Sequence, residues 1–274
     1  MEPDAFNRFE AAGWEQRAAT YEDSLGQITT RVVEPLLDAA GVGGGARVLD
    51  VASGPGFVSA AAAERGASVV GVDIAEAMLA IARQRYPELE FRHGSAEALP
   101  FGDGSVDAVV ANFLLLHLGR PEQAAAEFAR VLVPGGRLAL TVWDVPEEAR
   151  FLGVFLEAVA TAGASPPEDI PVGPPFFRFS DEQEFVQLLR DQGFEGIEVT
   201  TIAFSHAAPS PDAWWWGVLN GAVRTPALIF GQTDEMQRQI RTAFDRIVTE
   251  QYTVGTELEL PVSVKLASGR TPAR

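Results

Sequence analysis

Through the first half of the chain, apolar residues come in short unbroken runs, each followed by a longer stretch with helical spacing. Val48 to Val51, Ser68 to Val72, Leu89 to Arg92, Val106 to Ala111 and Arg137 to Trp143 read as strands. Phe57 to Arg65, Ala75 to Tyr86 and Pro121 to Leu132 read as helices between them. Pro87 stops the second of these, and Pro121 suits the first position of the third. The strands are continuously apolar instead of alternating, so both of their faces are buried, as in a parallel sheet covered by helices. The pattern predicts an α/β fold with a doubly wound sheet.

Residues 4 to 40 precede this alternation and read as helical, with apolar positions that include Phe6, Phe9, Trp14, Ala18, Tyr21 and Leu25; "GVGGGA" then breaks the chain. "PGG" at Pro134 to Gly136 predicts the turn before the fifth strand. Beyond it, Glu147 to Ala162 reads as a helix, and "GASPPEDIPVGPP" as a proline-rich connection. "SDEQ" predicts a capping box, with the Ser180 hydroxyl on the Gln183 amide, opening a helix that buries Phe185, Leu188 and Leu189 and ends at Gly193. A strand over Ile197 to Phe204 leads into an excursion, Ser205 to Glu259, with an amphipathic helix near Thr233 to Tyr252. Leu260 to Leu266 closes the chain as a strand.

Three consecutive tryptophans, Trp214 to Trp216, point in different directions on a helix. One is expected to anchor the excursion and another to face a ligand. With Phe176, Phe177 and Phe179 they read as a lid over an apolar or aromatic small-molecule pocket, and the same residues suit a homodimer interface.

Composition narrows the function. A formal charge of −17 on 274 residues, with no basic cluster, weighs against nucleic acid and against anionic membrane surfaces. There is no cysteine, hence no disulfide, thiolate ligand or cysteine nucleophile. The three histidines are dispersed and no metal site is expected. "MEPDAFNRFE" has no apolar core of a secretory signal, and "VVANFLLLHL" is too short to span a bilayer, so a soluble cytoplasmic protein without membrane insertion is expected.

The chemistry gathers at "VLDVASGPG", Val48 to Gly56. Gly54 and Gly56 follow the first strand, where a doubly wound sheet binds ligands, and let the backbone approach one closely. Asp73 ends the second strand, about 20 residues on, placed for the hydroxyls of an adenosine ribose. "GPGFVS" is close to a dinucleotide fingerprint, but Asp50 just before the loop would repel a diphosphate. The same charge suits the ammonium and sulfonium of S-adenosylmethionine.

"VLDVASGPG", "GVDIAEAM", "GSAEALPFGDGSVDAVVANFLLLHL" and "LVPGGRLALTVWD", in that order, resemble the class I S-adenosylmethionine-dependent methyltransferases. The resemblance is nearest to the group holding the ubiquinone and menaquinone biosynthesis C-methyltransferases, and it covers Ala46 to Asp144. It implies a Rossmann-like seven-stranded sheet in order 3-2-1-4-5-7-6 with the last strand antiparallel. It also implies one domain over 1–274: a helical cap (1–45), a cofactor-binding half (46–144) and a substrate-side half (145–274) with a lid insertion at about 205–259. Asp50, Ser53 and Gly54 would then flank the methionine part, with Asp73 on the ribose and Ile74 packing on adenine; Gly56 and Met78 are also expected among the cofactor-binding residues. Ser95, Ala96 and Glu97 match the adenine-edge segment, where the family often carries aspartate in place of Ser95. Asn112 and Phe113 would sit beside the methionine end.

The expected reaction is in-line methyl transfer to a small apolar or aromatic acceptor, leaving S-adenosylhomocysteine, with alignment as the main task of the protein. A general base is needed only if the acceptor loses a proton. His117 and Tyr21 are the catalytic candidates; His206 is a weaker one, and His93 reads as a surface residue. A cyclase, isomerase or binding protein that keeps the cofactor pocket is the competing class, and an NAD-dependent oxidoreductase is a third, disfavoured by Asp50. "ANFL" after the fourth strand lacks the N-P-P-[FYW] motif of amine-directed enzymes.

Overall fold

The computed structural model describes residues 2–254 and 257–273. One sheet runs through its centre: β1 (Arg47–Val51), β2 (Ser68–Asp73), β3 (Glu90–His93), β4 (Val106–Asn112), β5 (Leu132–Trp143), β6 (Glu195–Ala208), β7 (Thr253–Val254) and β8 (Glu257–Arg270). The order is β3-β2-β1-β4-β5-β8-β6, with the two-residue β7 paired to β8 at the side. β1 to β5 pair in parallel, and β8 is antiparallel to both β5 and β6. Apart from β7, which no sequence pattern announces, this is the expected seven-stranded Rossmann-like order.

The alternation of side chains explains the layers. Leu49, Val51, Val109 and Leu138 face one side, where they meet Phe128 of α6 (Pro121–Val131) and Phe185 of α8 (Glu182–Asp191). Val48, Val69, Val110 and Ala139 face the other, against Leu36 and Leu37 of α3 (Val33–Ala39) and Val58 of α4 (Phe57–Glu64). The edge strand β3 is short, with Glu90, Arg92 and His93 exposed, which discourages pairing with another chain.

The N-terminal segment departs from a single helix. α1 (Pro3–Tyr21) runs into a π-helical turn at Glu22–Gly26, followed by α2 (Gln27–Thr29), a 3₁₀ turn and α3. Ser24 breaks the helical dihedrals because its hydroxyl donates to the carbonyls of Thr20 (2.6 Å) and Tyr21 (3.1 Å). A Cβ on Gly26 would lie 2.9 Å from the Tyr21 carbonyl oxygen, so the bend needs glycine. Pro35 falls in the first turn of α3, where its missing N–H is tolerated.

Two local readings change. The cap of α8 is Asp181, whose carboxylate accepts from the amides of Gln183 (2.8 Å) and Glu184 (3.1 Å), while the Ser180 hydroxyl donates to the Phe177 carbonyl. An acceptor-only carboxylate outcompetes a hydroxyl for two amides. "PGG" lies inside β5 as a bulge, marked by the register shift between Val106 and Ala108, instead of preceding the strand.

The excursion forms α9 (Pro211–Gly221), α10 (Arg224–Phe230) and α11 (Asp234–Gln251), which pack with α7 (Arg150–Thr161) on β8. Trp214 is buried, with its indole N–H on the Phe151 carbonyl at 3.0 Å; Trp215 is buried against Phe155 at 5.4 Å between ring centroids; Trp216 is exposed. Phe176 and Phe177 pack on the same cluster, and Phe179 is buried with Phe185. The aromatic segments are therefore a second core, and α9 braces the outer side of the α1 bend: Thr20 donates to the Asn220 carbonyl at 2.7 Å. Trp214→Ala should cost about 3–5 kcal/mol of stability, and Trp216→Ala about 0.5 kcal/mol or less. Urea denaturation midpoints read both.

Candidate cofactor site and acceptor cavity

Strand order reverses between β1 and β4, and a cavity of about 950 Å³, mouth included, opens beyond their carboxyl ends. α1, with Leu25 and Thr29 of the bend that follows it, supplies one wall; the ends of β1, β2, β4 and β5, the loop after β3 and the turn after β4 supply others. Every described lining residue falls between Asn7 and Trp143, so the described part of the excursion contributes none. The lid over this cavity is α1.

Asp73 joins two of the segments. Its Oδ2 accepts the Gly54 amide at 2.8 Å and its Oδ1 the Ala75 amide at 2.9 Å, tying the glycine loop to the end of β2. Burial raises its carboxyl above the ordinary range, against the amide bonds that lower it. Gly54 has a φ of +51° and nothing within 4 Å of where a Cβ would stand, so the loop leaves open space beside its backbone. Ala52 (φ +60°) and Phe113 (φ +56°) adopt the same left-handed region at the ends of β1 and β4, and both line the cavity. Such backbone persists only where the surroundings enforce it. At Phe113 they do: its amide reaches both Thr141 oxygens at 3.0 and 3.1 Å, and its ring stacks on Trp143 at 4.1 Å. Asn112 is held between the Thr29 carbonyl (3.0 Å) and the Thr141 hydroxyl (2.6 Å).

The cavity also gathers Ile74, Met78, Ser95, Ala96, Tyr21 and His117 from the sequence expectations. Four expected residues stand back from it. Asp50 is on the same face of β1 as Val48, turned to α4, where the Ser59 hydroxyl donates to its Oδ2 at 2.6 Å. Its burial pushes the carboxyl from 3.8 up to about 7, opposed by the Ser59 hydrogen bonds. The charge expected of it at the cavity wall comes instead from Asp73 and Glu10. Ser53 is buried beside Gly71, and Gly56 (φ +87°) begins α4 against Phe91 and Tyr86. Glu97 is a tie: it accepts the Arg120 amide (2.8 Å), the Asn7 side chain (2.8 Å) and the Arg120 guanidinium (3.1 Å).

The residues missing from the expectations lie mainly on α1. Phe6, Glu10, Trp14, Ala18 and Tyr21 follow helical spacing, so a carboxylate inside the apolar stripe was the available signal. Glu10 is only 3% exposed; its Oε2 is 2.9 Å from His117 Nδ1, and its Oε1 is buried without a hydrogen-bond partner. Trp14 meets the His117 ring edge-on at 5.0 Å. The Tyr21 hydroxyl shares a 2.9 Å bond with Thr29, and burial pushes it up to about 12, so it stays protonated and is no base. Glu15 accepts the amides of Glu76 (2.5 Å) and Ala77 (3.0 Å), capping α5 (Glu76–Arg85) and docking α1. His93 is on β3, its Nε2 3.0 Å from the Ile74 carbonyl; His206 packs on Phe151 outside the cavity, and burial lowers its ordinary value.

Lysine and arginine are absent among the described lining residues, while two carboxylates, Glu10 and Asp73, are present. Such a lining suits a cationic adenosyl ligand and not a diphosphate. A family model described as a methyltransferase domain matches residues 49–140. A demethylmenaquinone methyltransferase of Renibacterium salmoninarum is 35% identical over 182 residues, covering 64% of this chain and 76% of its own. The YcgJ protein of Bacillus subtilis shares the fold at a TM-score of 0.59 and 18% identity, over 89% of this chain and 99% of its own. The [4+2]-cyclase SpnF does so at 0.55 and 18%, over 89% and 82%. The chain belongs to the class I S-adenosylmethionine-dependent methyltransferases. It is an enzyme of that class, with S-adenosylmethionine as its cofactor. Among the described residues no helix is long and apolar enough to cross a membrane, and no histidine or carboxylate cluster forms a metal site.

Asp50 sets a pH dependence. Because its folded value lies near 7 and its ordinary value at 3.8, the folded chain keeps a proton that the unfolded chain releases. Stability therefore falls as pH rises through that interval, by at most about 1.4 kcal/mol per pH unit from this group, and levels above it. Asp50→Asn should flatten that fall in denaturation curves taken from pH 5 to 8.

Proposed function

We propose that the enzyme transfers the methyl group to a small apolar or aromatic acceptor, in the cytoplasm, with both ligands inside the cavity under α1. The observation that carries this reading is the character of the cavity wall: polar at Asp73 and the glycine loop, and aromatic at Trp14, Tyr21, Phe113 and Trp143. Bound there, S-adenosylmethionine supplies an activated methyl group together with its own leaving group.

The chain's part is to seat and align. Asp73 receives the ribose hydroxyls on lone pairs that Gly54 and Ala75 leave free, since a carboxylate offers about four. Ile74, Met78 and Ala96 give the adenine an apolar bed, and Ser95 supplies its polar edge. Gly54, Asn112 and Phe113 border the methionine end. The buried carboxylates favour the positive charge of the bound ligand, and α1 excludes water from the methyl path. His117 is the one lining side chain with a ring nitrogen able to take a proton. The match to demethylmenaquinone methyltransferases supports an aromatic hydroxylated acceptor.

The SpnF likeness supports a second reading, since the same fold carries a cyclase. Incubation with S-adenosylmethionine and a panel of reduced naphthoquinones and simple phenols separates the two. Formation of S-adenosylhomocysteine and a product heavier by one methylene is the expected result. Tight cofactor binding with no S-adenosylhomocysteine from any acceptor would favour the second reading. Asp73→Asn should weaken S-adenosylmethionine binding by about tenfold to a hundredfold, about 1.4–2.8 kcal/mol, as read by titration calorimetry.

A further inference from the structure

We infer that Glu10 is a positioning residue for His117, setting the imidazole so that its Nε2 takes the proton of a hydroxyl-bearing acceptor. The inference deepens the proposed methyl transfer and rests on it for the identity of the step.

Three contacts fix the ring. The His117 amide donates to the Leu114 carbonyl at 2.9 Å in the 3₁₀ turn after β4. Trp14 stands edge-on to the imidazole at 5.0 Å, and Glu10 Oε2 is 2.9 Å from Nδ1. A carboxylate only accepts, so the shared proton lies on Nδ1 and the lone pair of a neutral ring lies on Nε2. Nε2 makes no hydrogen bond among the described residues, and His117 lines the cavity. The arrangement is that of a base held by a carboxylate on its far nitrogen.

The other oxygen of Glu10 explains why the carboxylate is worth keeping in an apolar stripe. Oε1 is buried and makes no hydrogen bond among the described residues, so the group is under-compensated. Arg224 of α10 interacts with it electrostatically but donates to the Pro174 carbonyl at 3.1 Å. Glu97, the other carboxylate near this end of α1, is neutralised by Arg120 and held by Asn7. Asp73 lies across the cavity, bonded to its own amides. A positive imidazole beside Glu10 would supply the missing compensation, and it forms only when a proton arrives at Nε2.

The step balances. The acceptor's O–H bond breaks and its proton joins Nε2. The electron pair left on the acceptor forms the bond to the methyl carbon, and the pair of the severed carbon–sulfur bond stays on sulfur. Positive charge thus moves from sulfur to the imidazole, next to Glu10.

The test is ring nitrogen NMR on the full chain, labelled with ¹⁵N-histidine and saturated with S-adenosylhomocysteine at about pH 8. Only three histidines are present, so His117→Gln identifies the relevant resonances by their loss. The neutral His117 ring should carry its proton on Nδ1, and Glu10→Leu should move it to Nε2, the preference of an unconstrained histidine side chain. Glu10→Gln, which keeps the shape, serves if the leucine variant does not fold, and should broaden or shift the Nδ1 resonance. Addition of 1-naphthol should move the His117 Nε2 resonance and leave those of His93 and His206 in place. A wild-type ring protonated on Nε2, or a ring indifferent to both Glu10 substitutions, would overturn the positioning role. An Nε2 resonance unmoved at saturating naphthol would overturn the hydroxyl acceptor. The measurement needs no turnover, so its failure and a failure of methyl transfer are read separately.

Discussion

The Asp73 carboxylate, bonded at once to the Gly54 and Ala75 amides, is the constraint on which the cavity depends. Connections that leave the parallel strands β1 and β4 toward opposite edges of the sheet open a crevice, but they do not shape it. The loop after β1 has few side chains to hold it, and its conformation includes three residues at positive φ, Ala52, Gly54 and Gly56. A charged acceptor buried at the neighbouring strand end fixes that backbone with bonds stronger than neutral ones. The same side chain also lines the cavity.

A second layer of constraint belongs to α1. Glu15 caps α5, Asn7 bridges Glu97 and the Gly119 amide, and the bend at Ser24 and Gly26 is braced by Thr20 on α9. Each contact joins the helix to a different part of the sheet periphery. The aromatic excursion thus acts on the site at one remove, by supporting the bend instead of touching the ligand space.

The alternating core from β1 to β5 was legible because its strands are buried on both faces, and a buried parallel strand leaves an unmistakable run. That Asp73 and the glycine loop belong together was legible from a carboxylate at a strand end at that distance from the loop, and the Gly54 and Ala75 amide bonds join them. Asp50 was misread for a reason of geometry: strand periodicity sends it toward Ser59, and position in a motif does not reveal which face a side chain takes. The tryptophans were misread because helical spacing shows that they diverge but not what packs above them; two of them met the core of α7 and α11. Glu10 was visible as an acid in an apolar stripe, but its partner His117 is 107 positions away, beyond the range of any local pattern. The bend in the N-terminal helix depends on one hydroxyl and one glycine, too small a signal to read from spacing.

Glu10 on α1 and His117 on the turn after β4 meet at 2.9 Å beside the ligand space, so one bond joins the helix to the end of the sheet. The pairing of these two side chains therefore registers how α1 is seated: a displacement of the helix away from the sheet would part them, together with the Glu15 and Asn7 contacts.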